Sequence, residues 1–105
     1  LIINIDGEND FQEWVDKGGV QIIKFSASWC QPCLAVDNIL EEIADDIKEP
    51  ILKVDVDLDP EIAGEFGIMS IPTISFFKDK KEVDRLHGYQ TKEHILEILE
   101  LVRGE

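Results

Sequence analysis

Cysteine is scarce in this chain: among 105 residues there are two, Cys30 and Cys33. Structural zinc normally takes four ligands, and beyond this pair the sequence offers only His87 and His94, far along the chain, so a zinc site is left half built. Basic residues are scarce too, with 10 Lys and Arg against 23 Asp and Glu and a formal net charge of −13. Such acidity favours solubility and argues against nucleic acid or an anionic membrane as partner; a solvated acidic surface is the plain account of it. Long apolar runs are missing, since even Ile95-Leu96-Glu97-Ile98-Leu99 is broken by a glutamate and nothing approaches the ~18 residues of a membrane span. Repeats, linkers and low-complexity segments are missing as well. One compact domain over residues 1–105, with 44% hydrophobic residues to build its core, is what remains. No signal peptide is visible, which favours the cytoplasm, although the chain starts at Leu1 rather than Met and leaves open a segment trimmed ahead of it.

What is present is concentrated in Trp29-Cys30-Gln31-Pro32-Cys33, between the apolar run Val20 to Phe25 and a helix-period pattern that begins at Leu34. Two residues between cysteines is the spacing at which one helical turn brings two sulfurs within disulfide reach, so the pair can be a dithiol or a closed ring. A helix that begins at the motif puts Cys30 at its N-terminal end. There, unpaired backbone N–H groups and the positive end of the helix dipole favour a thiolate, which is a nucleophile.

Around the motif the chain alternates strands and helices. Leu1 to Ile5 is apolar and β-branched and closes at Asp6-Gly7; Asn9 or Asp10 then caps a helix with Phe11, Trp14 and Val15 on one face. Gly18-Gly19 ends it. Val20 to Ser26 is apolar at successive positions, the mark of a strand covered on both faces, with Lys24 as an anomaly in its middle. From Pro32 to Lys48, Val36, Ile39, Leu40, Ile43 and Ile47 make one helical face, while Asp37, Glu41, Glu42, Asp45 and Asp46 crowd the remainder. Pro50 stops that helix, and Ile51 to Val56 reads as a strand. Asp59-Pro60 opens a short helix closed by Gly67, Ile74 to Phe77 is a strand, and Lys78 to Lys81 is a charged turn. Glu82 to Leu86 is an edge strand, and Thr91 caps a last helix with Ile95, Ile98, Leu99 and Val102 inward. Trp14, Phe25, Phe66, Phe76 and Phe77 are expected in the core. The order βαβαβαββα predicts an α/β fold in which a parallel βαβαβ half is joined to an antiparallel hairpin in one mixed sheet with helices on both faces.

Along nearly its whole length the chain resembles the thioredoxin family. The matching stretches are Trp29-Cys30-Gln31-Pro32-Cys33, Lys53-Val54-Asp55-Val56-Asp57, Gly67-Ile68-Met69-Ser70-Ile71-Pro72-Thr73, Phe77-Lys78 and Gly88. The resemblance implies a thioredoxin fold, a five-stranded mixed sheet with about four flanking helices, and a cis Pro72 facing the cysteines. Three positions depart from the family pattern: Gln31 stands where glycine is commonest, Asn38 where a helix-kinking proline is common, and Lys24 where an aspartate is usually buried under the active site.

Thiol–disulfide exchange needs an attacking thiolate, a second thiol that releases the mixed disulfide, and a groove that aligns the substrate. Cys30 fits the first role as the expected exposed sulfur, and Cys33, one turn in, fits the resolving role. A static disulfide is the bland alternative. Trp29, Gln31, Pro32, Lys24, Lys53 and Pro72 are expected to support the site. Trp29, Met69, Ser70, Ile71, Gly88 and Tyr89 are expected to contact substrate, with the backbone of Ile71 pairing with an extended segment. Ordinary packing is nearly as good an account of Met69 and Tyr89, and His87 reads as a surface or packing residue near the groove. Lys24 is expected to place a cation beneath Cys33 and favour its thiolate; the plainer alternative is that it snorkels to solvent or pairs with a carboxylate. By resemblance the function is protein-disulfide reduction by a monomer with no cofactor beyond its own cysteines. Disulfide-containing target proteins and thioredoxin reductase or an equivalent electron donor are the implied partners. A more oxidising disulfide oxidase or isomerase, and an interaction module indifferent to the cysteines, remain as alternatives.

Overall fold

The computed structural model describes residues 1–104. Its elements are β1 (Ile2–Asn4), α1 (Glu8–Asp16), β2 (Val20–Ser26), α2 (Gln31–Ala44), β3 (Ile51–Asp55), α3 (Pro60–Glu65), β4 (Thr73–Lys78), β5 (Lys81–His87) and α4 (Lys92–Gly104). This is the order read from the sequence. The strands form one sheet in the order β1-β3-β2-β4-β5. β3 runs parallel to β1 and β2, and β4 runs antiparallel to β2 and β5, so the sheet is mixed as expected.

β2 is the centre, and every residue from Gln21 to Ser26 is buried. Because side chains alternate along a strand, its residues divide between two cores. Ile22 meets Ile51, Ile74 and Phe76 under Val36, Leu40 and Ile43 of α2 and Ile95, Leu99 and Val102 of α4. Ile23 and Phe25 meet Leu52, Val54 and Phe77 under Phe11 and Val15 of α1 and Ile62 of α3. Phe66 is wedged into this second core, edge-on to Phe11 at 5.6 Å and to Phe77 at 5.5 Å between ring centres. Lys24 points to the α2 side, in line with Ile22.

Strand ends shift by a residue from the sequence reading, with Lys78 and Lys81 of the expected charged turn paired in β4 and β5, and two helix boundaries differ by more. Neither Asn9 nor Asp10 is the N-cap of α1. That position is Gly7, at φ 93°, and the Asp10 carboxylate reaches back to the backbone N–H of Asp6 at 2.9 Å. Asp10 thus does the work of the acidic third residue in a capping box, one position displaced. α2 ends at Ala44 rather than Lys48. Asp45 and Asp46 put negative charge on the negative end of the helix dipole with no basic residue in the last turn, which opposes further winding. Ile47 still packs against the core from the loop.

Candidate active site

Phe25 of β2 is paired with Thr73 of β4, so the chain leaving β2 and the chain entering β4 emerge at the same end of the sheet. The first carries the cysteines. Cys30 is the N-cap of α2 in an extended conformation, and its Sγ accepts the backbone N–H of Cys33 at 3.3 Å. Pro32 lies in the first turn, where a missing N–H costs nothing. Cys30 and Cys33 are joined as a disulfide with their Cα atoms 5.2 Å apart. The expected contrast between an exposed and a withheld sulfur is slight: Cys30 is 4% and Cys33 1% accessible, because Ala27, Val56 and Ile71 pack around the closed ring. Gln31 and Pro32, between them, are exposed.

The second loop supplies the facing wall. The Ile71–Pro72 peptide is cis, as the resemblance implied. The Thr73 hydroxyl donates to Ser70 O at 2.8 Å and lies 3.3 Å from His87 Nδ1, while the N–H of Gly88 donates to Pro72 O at 2.8 Å. His87 and Gly88 therefore brace this loop from the end of β5. Trp29, Met69, Ser70 and Ile71, all singled out in the sequence, line a cavity of about 190 Å³ together with Val56 and Ile68. Trp29 and Met69 are largely exposed. Tyr89 is exposed too, yet neither it nor Gly88 lines that cavity. One contact was not foreseen: the Trp29 indole donates to Asp57 at 2.8 Å.

Behind the disulfide, Lys24 is completely buried, but it is not a lone charge. Its Nζ donates to the carbonyl of Cys33 at 3.0 Å and to Asp37 at 2.5 Å, and Lys53 Nζ contacts the same Asp37 oxygen at 3.1 Å. The Lys24 side chain reaches the backbone of Cys33, and it is paired with a carboxylate, as the plainer alternative had it. Burial pushes the Lys24 ammonium below its ordinary pKa, and Asp37 opposes that shift. Asp37 was read as one of several solvated acids on α2; only its position one turn after Cys33 hinted otherwise.

A redox disulfide at the N-terminus of a helix, opposite a cis-proline loop on a mixed five-stranded sheet, defines the class of thiol–disulfide oxidoreductases. The thioredoxin family model matches residues 2–101, and the chain belongs to that family. It is 45% identical over 93 residues to a thioredoxin of Staphylococcus aureus, covering 87% of this chain and 88% of the relative. Among solved structures it superposes on Fasciola hepatica thioredoxin with a TM-score of 0.87 at 30% identity, covering 93% and 96% of the two chains. The N21Q mutant thioredoxin from Halobacterium salinarum gives 0.89 at 24% identity, covering 94% and 88%, a likeness of fold. The chain is thus a protein-disulfide reductase acting through Cys30 and Cys33. No helix among the described residues is long and apolar enough to cross a membrane.

Proposed function

We propose that Cys30 is the attacking thiolate and Cys33 the resolving thiol in the reduction of disulfides on partner proteins. The observation that carries this is the place of Cys30 at the N-cap of α2, where its sulfur receives the Cys33 N–H and feels the positive end of the helix. In the first step the Cys30 thiolate bonds to one target sulfur, and the other target sulfur leaves as a thiolate and takes up a proton. In the second, Cys33 gives up its proton and its sulfur attacks Cys30 Sγ. The ring closes, and the remaining target sulfur leaves with the electron pair. Two electrons have passed to the target, and an external reductase must return them.

Trp29, Met69, Ser70 and Ile71 offer an apolar seat for an extended substrate segment beside the disulfide, and we assign Gly88, hydrogen-bonded to Pro72, and the exposed Tyr89 to substrate contact as well; Gln31, Pro32, Lys24, Lys53 and Pro72 shape and support the site. No metal or organic cofactor enters this scheme. A monomer in the cytoplasm, drawing electrons from thioredoxin reductase or an equivalent donor, fits the bacterial relatives and the absence of a membrane-spanning helix among the described residues.

Insulin reduction with dithiothreitol tests the activity, and Cys33→Ser, which should stall at the mixed disulfide, tests the roles. Covalent capture by Cys30→Ser instead would reverse them. If a Cys30→Ser, Cys33→Ser double variant kept every partner, the chain would be a binding module.

A further inference from the structure

Three charged side chains meet behind Cys33 on the face of the sheet that α2 covers. Lys24 and Lys53 are partners across β2 and β3. Cross-strand partners point to the same face, so two like charges sit side by side. Asp37 reaches them from α2, with one carboxylate oxygen accepting from both ammonium groups at 2.5 and 3.1 Å. The buried Lys24 turns another N–H to the Cys33 carbonyl at 3.0 Å. Asp37 is four residues after Cys33, about one helical turn or ~5.4 Å along the axis. Around this cluster β4 contributes the apolar Ile74, paired with Lys24. β3 contributes Asp55, whose carboxylate accepts the N–H groups of Asp57 and Leu58. A cavity of about 300 Å³, lined by Asp37, Lys53, Asp55, Ser26 and Leu34 among others, opens the outer side of the cluster.

We infer that Asp37 is a positioning residue for disulfide exchange: its carboxylate holds the Lys24 ammonium on the Cys33 carbonyl and offsets its charge, keeping the Cys33 thiol protonated and the dithiol strongly reducing. The inference rests on Cys33 as the resolving thiol. A cation beside a sulfur favours the thiolate and an anion disfavours it. With both lysines and Asp37 ionised, one positive charge remains uncancelled; without the carboxylate two remain for as long as the buried Lys24 keeps its proton, and in a Lys24→Met background the count goes from none to one whatever the state of Lys24. Removing the carboxylate therefore eases thiolate formation at Cys33, stabilises the reduced protein and makes it a weaker reductant. A burial-only role for Asp37 would change stability and leave the redox equilibrium where it was.

The test is equilibration with a glutathione or dithiothreitol series, paired with titration of thiolate absorbance. Asp37→Asn should move the redox equilibrium about tenfold toward the dithiol, about 30 mV, and bring thiolate absorbance in at lower pH. The same comparison between Lys24→Met and the Lys24→Met, Asp37→Asn double variant removes the buried ammonium and should shift in the same direction. It decides alone if Asp37→Asn does not fold. An unchanged or more reducing equilibrium on removal of the Asp37 charge overturns the assignment. Failure of the wild type to reduce insulin would instead overturn the reading of Cys30 and Cys33.

Discussion

The indole N–H of Trp29 donates to the carboxylate of Asp57 at 2.8 Å, tying the residue before Cys30 to the loop that follows β3. The indole is 69% exposed, so this one bond does much to hold its orientation beside the disulfide. Asp57→Ala should free the ring. Loss of about one hydrogen bond, ~1 kcal/mol, predicts a threefold to tenfold lower kcat/KM for insulin reduction, carried mainly by KM. The Tm should move little, because both groups lie at the surface. Unaltered kinetics together with unaltered indole fluorescence would show that the bond does not position Trp29.

In the reduced protein, Cys30 should react with limiting iodoacetamide before Cys33. Accessibility of the closed ring does not carry this expectation, since both residues are buried. It comes from the helix N-terminus, which stabilises charge on the capping sulfur. Mass mapping of the alkylated peptides reads the outcome, and predominant label on Cys33 would contradict it.

At the opposite end of the sheet Arg103 grips Glu49 through two bonds, at 2.6 and 2.7 Å, fastening the last turn of α4 to the loop before β3. The Arg103 hydrogen bonds hold the buried Glu49 carboxyl below its ordinary pKa. A depressed carboxyl pKa contributes stability that is complete above the unfolded value of about 4.3 and is lost as pH falls through the lower folded value. Glu49→Gln should therefore cost about 1–2 kcal/mol at pH 7, with the gap to wild type narrowing below pH ~4. Urea unfolding at the two pH values measures it. A gap independent of pH would mean that the charge on Glu49 is not what the fold uses.

Phe66→Ala should destabilise by about 2–4 kcal/mol, since the half-buried ring packs against Phe11, Phe25 and Phe77 and its removal strips a contact from each of them. Thermal or urea denaturation reads this directly; a loss under ~1 kcal/mol would show that the three neighbouring rings close the gap.

Much of this molecule was legible because local signals agreed. Apolar residues at successive positions within Val20 to Ser26 marked a central strand, Thr91 capped α4 through a bond to the His94 N–H, and the Trp29 to Cys33 motif marked where α2 begins. What escaped were pairings between residues distant in sequence. Asp37 looks like its neighbours Glu41 and Glu42 until the sheet brings two lysines beneath it, and Asp57 acquires Trp29 only when the loops after β2 and β3 converge. The end of α2 was missed for a different reason: the apolar period runs on to Ile47, while repulsion at the dipole's negative end stops the winding at Ala44.

The central place of β2, bonded on both edges and covered on both faces, sets how the molecule breathes. Its amides can exchange with solvent deuterium only when the whole domain opens, whereas those of β1 and β5, at the edges of the sheet, exchange through local fraying. Amide exchange followed by NMR should leave β2 protected last, and early exchange there would show a looser centre than its burial implies. The cysteine loop therefore hangs from the slowest-opening segment of the chain, a fixed mount for a bond that is made and broken in every cycle.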